Sequence, residues 1–167
     1  NASGIVLGRD LPVAVTVPTP AAMHALGVEL AGLLRAGDVI IATGDLGAGK
    51  TTLARGIGEG LGVEGPVISP TFVLSRIHSA RGDGPDLVHV DAYRMADADE
   101  LADIDLDETL SRSVTLVEWG EGIAEWLSDE RLEIDIDREV GDEARRVILT
   151  GIGPRWDGAL EVIRRKP

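Results

Sequence analysis

With 167 residues, 44% of them hydrophobic and 27% charged, the chain has the length and composition of one globular domain. A formal net charge of −13 disfavours direct, tight binding to nucleic acid, and the lack of cysteine excludes disulfides and thiolate zinc sites. No apolar run approaches the roughly 18 residues of a membrane span, and no secretory signal is evident, so we expect a cytoplasmic protein. We expect residues 1–167 to form a single domain, with residues 1–8 either a tag remnant or disordered.

The first part of the chain predicts a strand, a helix, a second strand and a second helix, in that order. Alternating valines predict a strand at residues 13–17, and Thr19 can cap a helix whose first position is a proline. Apolar residues at steps of three and four then predict an amphipathic helix that ends near Gly37. The apolar run at 38–43 is typical of a buried parallel strand, and a helix follows from Lys50 to about residue 60.

The rest of the chain predicts further strands, together with an acidic stretch at 96–108 and a helix at 122–127. Turns are predicted at 82–85 and 141–143, and the second would join the last two strands in a hairpin. The alternation of strands and helices predicts a layered α/β domain with a mainly parallel central sheet and late antiparallel strands. The strands are predicted at 67–75, 87–91, 114–118, 132–136 and 146–150.

Residues Gly44–Thr51, with the sequence GDLGAGKT, match the P-loop pattern of glycine, four residues, glycine, lysine and threonine. The glycines let successive backbone N–H groups face phosphates at the positive end of the following helix, while Lys50 reaches the β- and γ-phosphate oxygens. The Thr51 hydroxyl is then a magnesium ligand, and the alternative is a glycine-rich turn that merely precedes a helix. The predicted ATP-binding residues are Gly44, Asp45, Leu46, Gly47, Ala48, Gly49, Lys50, Thr51 and Thr52.

The loop indicates the fold as well as the ligand. A phosphate loop between a buried strand and a helix predicts an α/β, P-loop NTPase-like three-layer sandwich that occupies the whole chain. Guanine-specific GTPases read their base with an Asn-Lys-x-Asp sequence, and neither lysine of this chain lies in one. ATP is therefore the favoured nucleotide.

Two apolar strands end in an acid, Asp91 and Glu118, and either could supply the carboxylate that holds magnesium beside a P-loop. The spacing does not choose between them, and each could also be a solvated charge at a strand end. Thr71 lies in the sequence SPTF, where switch segments carry a threonine that senses the γ-phosphate. The alternative for that segment is the start of a strand fixed by Pro70.

Four sequence blocks, GDLGAGKTTLARG, SPTF, HVDAYR and VEWGE, occur in this order within residues 44–121. Together they resemble the TsaE family, also called YjeE. The resemblance implies an ATPase needed to form threonylcarbamoyladenosine next to the anticodon of tRNA. It also implies TsaB and TsaD as partners, with the transferase site on TsaD, and contact with tRNA only through these partners.

The resemblance further implies ATP and Mg²⁺ as cofactors, without zinc, a disulfide or a membrane partner. It makes Thr51 and Glu118 the magnesium ligands and Asp91 a residue needed for hydrolysis, so that Lys50 and Asp91 are the catalytic residues. Thr71 would be the switch threonine, and Trp119 would affect activity or partner contact. We expect slow hydrolysis by the chain alone and stimulation by the partners.

Two other functions remain open. A small-metabolite kinase would use the same phosphate loop, but such kinases usually carry an arginine-rich lid, and the region after Arg94 is acidic instead. A nucleotide-gated adaptor would use ATP only to order the switch segment so that partners dock, without essential hydrolysis.

Overall fold

The computed structural model describes residues 12–44, 49–65, 67, 75–91, 110–118, 128–138 and 144–164. The strands are β1 (Val13–Val17), β2 (Val39–Gly44), β3 (Ser75–His78), β4 (Asp86–Asp91), β5 (Ser113–Glu118), β6 (Arg131–Arg138) and β7 (Arg145–Ile152). The helices are α1 (Pro20–Ala31), α2 (Lys50–Leu61) and α3 (Glu161–Arg164), with a 3-10 turn at Pro154–Trp156. The predicted helix at 122–127, the acidic stretch at 96–108 and residues 1–8 lie outside the described residues.

All the described strands belong to one mixed sheet, in the order β1-β7-β6-β2-β5-β4-β3. The four central strands β6, β2, β5 and β4 run parallel to one another, as predicted. The late strands β6 and β7 pair antiparallel, which confirms the predicted pairing, and β1 continues the sheet antiparallel to β7. Strand β3 was not predicted as such: Val67 is in no strand, 68–74 lie outside the described residues, and Ser75 begins β3.

The first helix begins as predicted but ends six residues earlier. The Thr19 hydroxyl oxygen accepts a hydrogen bond from the Ala22 N–H at 3.1 Å, and the helix ends at Ala31 rather than near Gly37. The apolar spacing continued past this end because Leu33 and Leu34 are half-buried in the turns that follow, where they pack against the core. The burial of Leu33 and Leu34 therefore produces helix-like apolar spacing in a segment whose backbone is not helical.

Both faces of the central strands are buried. Alternate residues of β2, β5 and β6 form one large apolar cluster with α1 and α2, including Ile40, Leu116 and Ile134. Ile41 and Val117 lie on the opposite face, and each is at most 2% exposed. A sheet covered on both faces is what a P-loop NTPase-like sandwich requires.

The two long helices approach each other through glycines. A Cβ atom on Gly27 would lie 2.4 Å from the Leu53 carbonyl oxygen, and one on Gly56 would lie 2.1 Å from the His24 carbonyl oxygen. One turn further on, a Cβ on Gly60 would lie 2.5 Å from the Ala31 Cβ. These distances are too short for real Cβ atoms, so α1 and α2 pack backbone against backbone.

We predict that Gly56→Ala destabilises the protein. Alanine would normally stabilise a helix interior by about 1 kcal/mol relative to glycine, but forcing apart a packed contact costs about 1–3 kcal/mol or more. Since the obstructing atom belongs to the α1 backbone, we expect a net fall in the free energy of unfolding, measured by urea denaturation. The control is Gly82→Ala, where a Cβ meets nothing within 4 Å. Equal stability of the two variants would contradict the close contact.

The end of the chain is fastened to the start of β2 by one arginine. Arg155 Nε and Nη2 donate to the two carboxylate oxygens of Asp38, each at 2.8 Å, and Nη2 also donates to the Leu33 carbonyl at 2.6 Å. Asp38 is 5% exposed, and the guanidinium lies over the Trp156 ring at 4.3 Å. Trp156 is itself buried.

Removing this arginine should be strongly destabilising. We expect Arg155→Leu to lower the free energy of unfolding by about 3–5 kcal/mol, because it leaves the Asp38 carboxylate buried without its partner. The double variant Asp38→Leu, Arg155→Leu should recover part of that loss, since no charge remains unpaired. The control is Arg112→Leu at an exposed position. If the double variant loses as much free energy of unfolding as the two single variants together, the two side chains act independently.

Candidate functional site

The glycine loop follows the central strand of the sheet. Strand β2 lies between the parallel strands β5 and β6, ends at Gly44, and is followed by α2 from Lys50. Of the predicted loop residues, Gly44, Gly49, Lys50, Thr51 and Thr52 are described, whereas Asp45, Leu46, Gly47 and Ala48 lie outside the described residues. The strand-loop-helix order required by the motif is therefore present.

Gly49 occupies a position that needs a glycine. Its φ angle is +117°, which side chains rarely adopt, and an added Cβ would lie 3.1 Å from the Met23 Cε atom of α1. As the N-cap of α2, a glycine supplies no side-chain oxygen that would compete with a phosphate for the first-turn N–H groups. The backbone here suits close approach of an anion.

The Lys50 side chain contacts the end of β2. This side chain is buried, with the residue only 6% exposed, and its ammonium group donates to the carbonyl oxygen of Gly44, the first loop residue. Thr51 and Thr52 follow in the first turn of α2, and both are half-buried. A cation is thus held against the last residue of β2, at the end of α2 where the helix dipole favours negative charge.

Both predicted acids lie at the same edge of the sheet. Glu118 stands beside Ala42 of β2 in the strand register, and Asp91 stands beside Glu118. Residues directly opposite each other on neighbouring strands share a face, and here that face is the one covered by α1 and α2. Glu118 is 9% exposed, whereas Asp91 is half-buried. The carboxyl ends of β2, β5 and β4 therefore bring the loop strand and both acids side by side.

Glu118 has a buried partner that the sequence analysis did not identify. His89 lies on the face of β4 that carries Asp91, is 0% exposed, and its Nε2 atom forms a hydrogen bond to Glu118 Oε2. A carboxylate that binds a metal is ionised and can only accept, so in a magnesium site the hydrogen of this bond would belong to Nε2. His89 stands in the block HVDAYR, and a polar residue within an apolar strand, two positions before an acid, is the signal that could have identified it.

The donor atoms present suit magnesium. Thr51 offers a hydroxyl oxygen, and Glu118 and Asp91 offer carboxylates, which are the hard oxygen ligands that Mg²⁺ prefers. Within the described ranges, no group of three or more His, Cys, Asp or Glu side chains is gathered as a metal site.

Two further predicted residues, Thr71 and Trp119, lie outside the described residues. Their roles as switch threonine and as partner or activity residue therefore stay predictions. In the part of the chain that the structure describes, no helix is long and apolar enough to cross a membrane.

The fold and the site together define a class of protein. The central parallel strand β2 is followed by a glycine-rich loop and a helix, and the strands β5 and β4 beside it in the sheet each end in an acid. These features characterise a P-loop NTPase-like α/β sandwich. The family model described as threonylcarbamoyl adenosine biosynthesis protein TsaE matches residues 17–147. The chain belongs to the TsaE family.

Individual relatives agree with this assignment. A Streptomyces coelicolor protein named tRNA threonylcarbamoyladenosine biosynthesis protein TsaE is 60% identical over 138 residues, 80% of this chain and 93% of that protein. A Bacillus subtilis protein of the same name is 41% identical over 148 residues, 87% of this chain and 90% of that protein. The crystal structure of Bacillus subtilis YdiB resembles this fold with a TM-score of 0.73 at 34% identity, covering 93% of this chain and 95% of that chain.

Proposed function

We propose that the protein is a magnesium-dependent ATPase that supports formation of threonylcarbamoyladenosine next to the anticodon of tRNA. In this proposal it works with a TsaB–TsaD complex that carries out the transfer. The observation that carries the proposal is the GDLGAGKT loop after β2 in a member of the TsaE family. Glu118 and Asp91 end the strands β5 and β4, which follow β2 in the sheet. Most of the chain is matched by the family model, which supports carrying the family's role over to it.

The residues divide the work of phosphoryl transfer between them. Backbone N–H groups of the loop and the Lys50 ammonium hold the β- and γ-phosphates, and Thr51 and Glu118 hold magnesium. Magnesium supplies charge neutralisation on the phosphate oxygens when it is bound. Asp91 positions the attacking water, so that catalysis is mainly positioning plus electrostatic stabilisation. Thr71 acts as the switch threonine, and Trp119 affects activity or partner contact.

The charge of the chain supports indirect contact with tRNA. A formal net charge of −13 disfavours nucleic-acid binding, which draws its affinity from lysine and arginine, so in this proposal the partners hold the tRNA. None of the four family blocks identifies an arginine for the γ-phosphate, and P-loop enzymes that receive such a group in trans are slow alone. Hydrolysis is therefore slow in the isolated chain and faster with partners.

We expect ATP hydrolysis by the purified chain to rise when TsaB and TsaD are added together, with tRNA modification continuing over several turnovers in the same tubes. The control adds each partner separately and omits ATP. Hydrolysis indifferent to both partners, with no effect on modification, would contradict the proposed role. Transfer of phosphate to a small metabolite would favour a kinase. Modification that needs ATP binding but survives loss of hydrolysis would favour a nucleotide-gated adaptor.

Two variants should separate nucleotide binding from chemistry. Lys50→Ala removes a phosphate contact, so it should lose both ATP affinity and turnover. Asp91→Ala should keep ATP affinity but lower kcat by about 10²–10⁴-fold, the usual contribution of a group that positions or activates the nucleophile. Equilibrium nucleotide binding and steady-state hydrolysis measure the two effects.

The matched control for Asp91→Ala is Asp83→Ala, which makes the same change in an exposed turn before β4. It should leave both binding and kcat unchanged. Normal hydrolysis by the Asp91 variant would show that the water-positioning role belongs to another residue.

A further inference from the structure

The strongest unexplained feature of the described residues is the buried histidine beside the proposed magnesium ligand. His89 is completely enclosed, and its Nε2 atom contacts Glu118 Oε2. Its other ring nitrogen, Nδ1, has no hydrogen-bond partner among the described residues. Among the described residues, the Glu118 carboxylate is therefore the hydrogen-bond partner of the His89 side chain.

A buried imidazole is costly unless its polar atoms are used. Burial removes water from both ring nitrogens, and the lack of a partner for Nδ1 adds to the free-energy cost. Other buried positions of β4 are filled by apolar residues such as Leu87 and Val90. An apolar side chain at position 89 would pack without this penalty. The contact with Glu118 is therefore the property that distinguishes histidine from an apolar residue at this position.

The register explains why Glu118 needs a fixed orientation. Asp91 stands directly opposite Glu118 on the next strand, so two carboxyl groups share one face at a strand spacing of about 4.8 Å. Two neighbouring carboxylates repel each other, and the one at position 118 could rotate toward solvent. His89 lies two residues before Asp91 on the same face and bonds one oxygen, Oε2, which leaves Oε1 available to another partner.

We propose that His89 is a positioning residue for magnesium binding: its Nε2–H group holds Oε2 of Glu118 and thereby turns Oε1 toward the metal beside the phosphate loop. This inference rests on the proposed function, in which Glu118 is a magnesium ligand. Hydrogen-bond partners behind metal ligands commonly change metal affinity by about 10–100-fold when they are removed. His89 itself contacts neither the nucleotide nor the metal in this proposal.

Two amides of different length give a matched test. In His89→Gln the amide N–H reaches about as far as Nε2, whereas in His89→Asn it reaches only about as far as Nδ1. His89→Leu removes the donor while keeping an apolar filling for the site. The core control is Thr115→Val, because Thr115 is also wholly buried on the neighbouring strand β5 but faces the opposite side of the sheet.

The measurement is binding of a fluorescent, non-hydrolysable ATP analogue to the full chain, first with EDTA and then over a magnesium titration. For His89→Asn and His89→Leu we expect unchanged affinity in EDTA and a half-saturating magnesium concentration raised about 10–100-fold. His89→Gln and Thr115→Val should stay close to the wild type. In a Glu118→Ala background, the His89 substitutions should have no further effect on the magnesium requirement. Thermal unfolding of each variant checks that it is folded.

The outcomes separate this inference from the proposed function. If the wild type requires magnesium and the asparagine and leucine variants require the same concentration, His89 has no positioning role, although the ATPase proposal stands. The positioning role is also excluded if the glutamine variant is as impaired as the asparagine variant while both are folded. If the wild type binds the analogue without regard to magnesium, the proposed metal site is wrong, and the inference fails with it.

Discussion

The contact between the backbones of α1 and α2 is the constraint on which the site depends. Gly27 and Gly56 let the two helices approach until no Cβ atom could stand between them, and Gly60 extends the contact by a turn. Glycines weaken an isolated helix by about 1 kcal/mol each, so α2 relies on this packing for its position. Because α2 begins at the phosphate loop, the same contact sets where its first turn, with Lys50, lies relative to the sheet. The side chain of Met23 in α1 also borders the space beside Gly49.

The parallel register supplies the second half of the site. Strands β2, β5 and β4 run in the same direction, so their last residues meet at one edge, and Glu118 and Asp91 stand next to each other there. A shift of β4 by one residue would turn Asp91 to the other face of the sheet, away from Glu118. The positions of the two acids thus follow from the strand register. The hydrogen bond between His89 and Glu118 then engages one of the two Glu118 carboxylate oxygens, Oε2.

Far from the loop, Arg155 and Asp38 hold the start of β2. The bidentate contact joins the segment after β7 to the residue that precedes the loop strand, and the Leu33 carbonyl shares the same guanidinium. The loop strand is therefore fixed at one end by this ion pair and along its length by β5 and β6. In the proposed mechanism, where positioning contributes most to catalysis, a rigid β2 keeps the phosphate loop in one geometry.

The sequence by itself determined the elements that depend on local pattern: the α/β class, the capped start of α1, the late antiparallel pairing and the phosphate loop. These follow from side-chain periodicity, capping chemistry and the spacing of glycines, which act over a few residues. The sequence also indicated both acids, because each ends an apolar strand. The sequence pattern predicted too late an end for α1, since Leu33 and Leu34 are half-buried without being helical.

Only the tertiary structure decided the contacts between distant segments. The Gly56 approach to His24, the Arg155 bond to Asp38 and the His89 bond to Glu118 each join residues far apart in the chain. No local pattern encodes such pairs, because the partner is chosen by strand order and helix packing. The sequence therefore identified the residues of the candidate site, and the fold decided which neighbouring residues hold them in place.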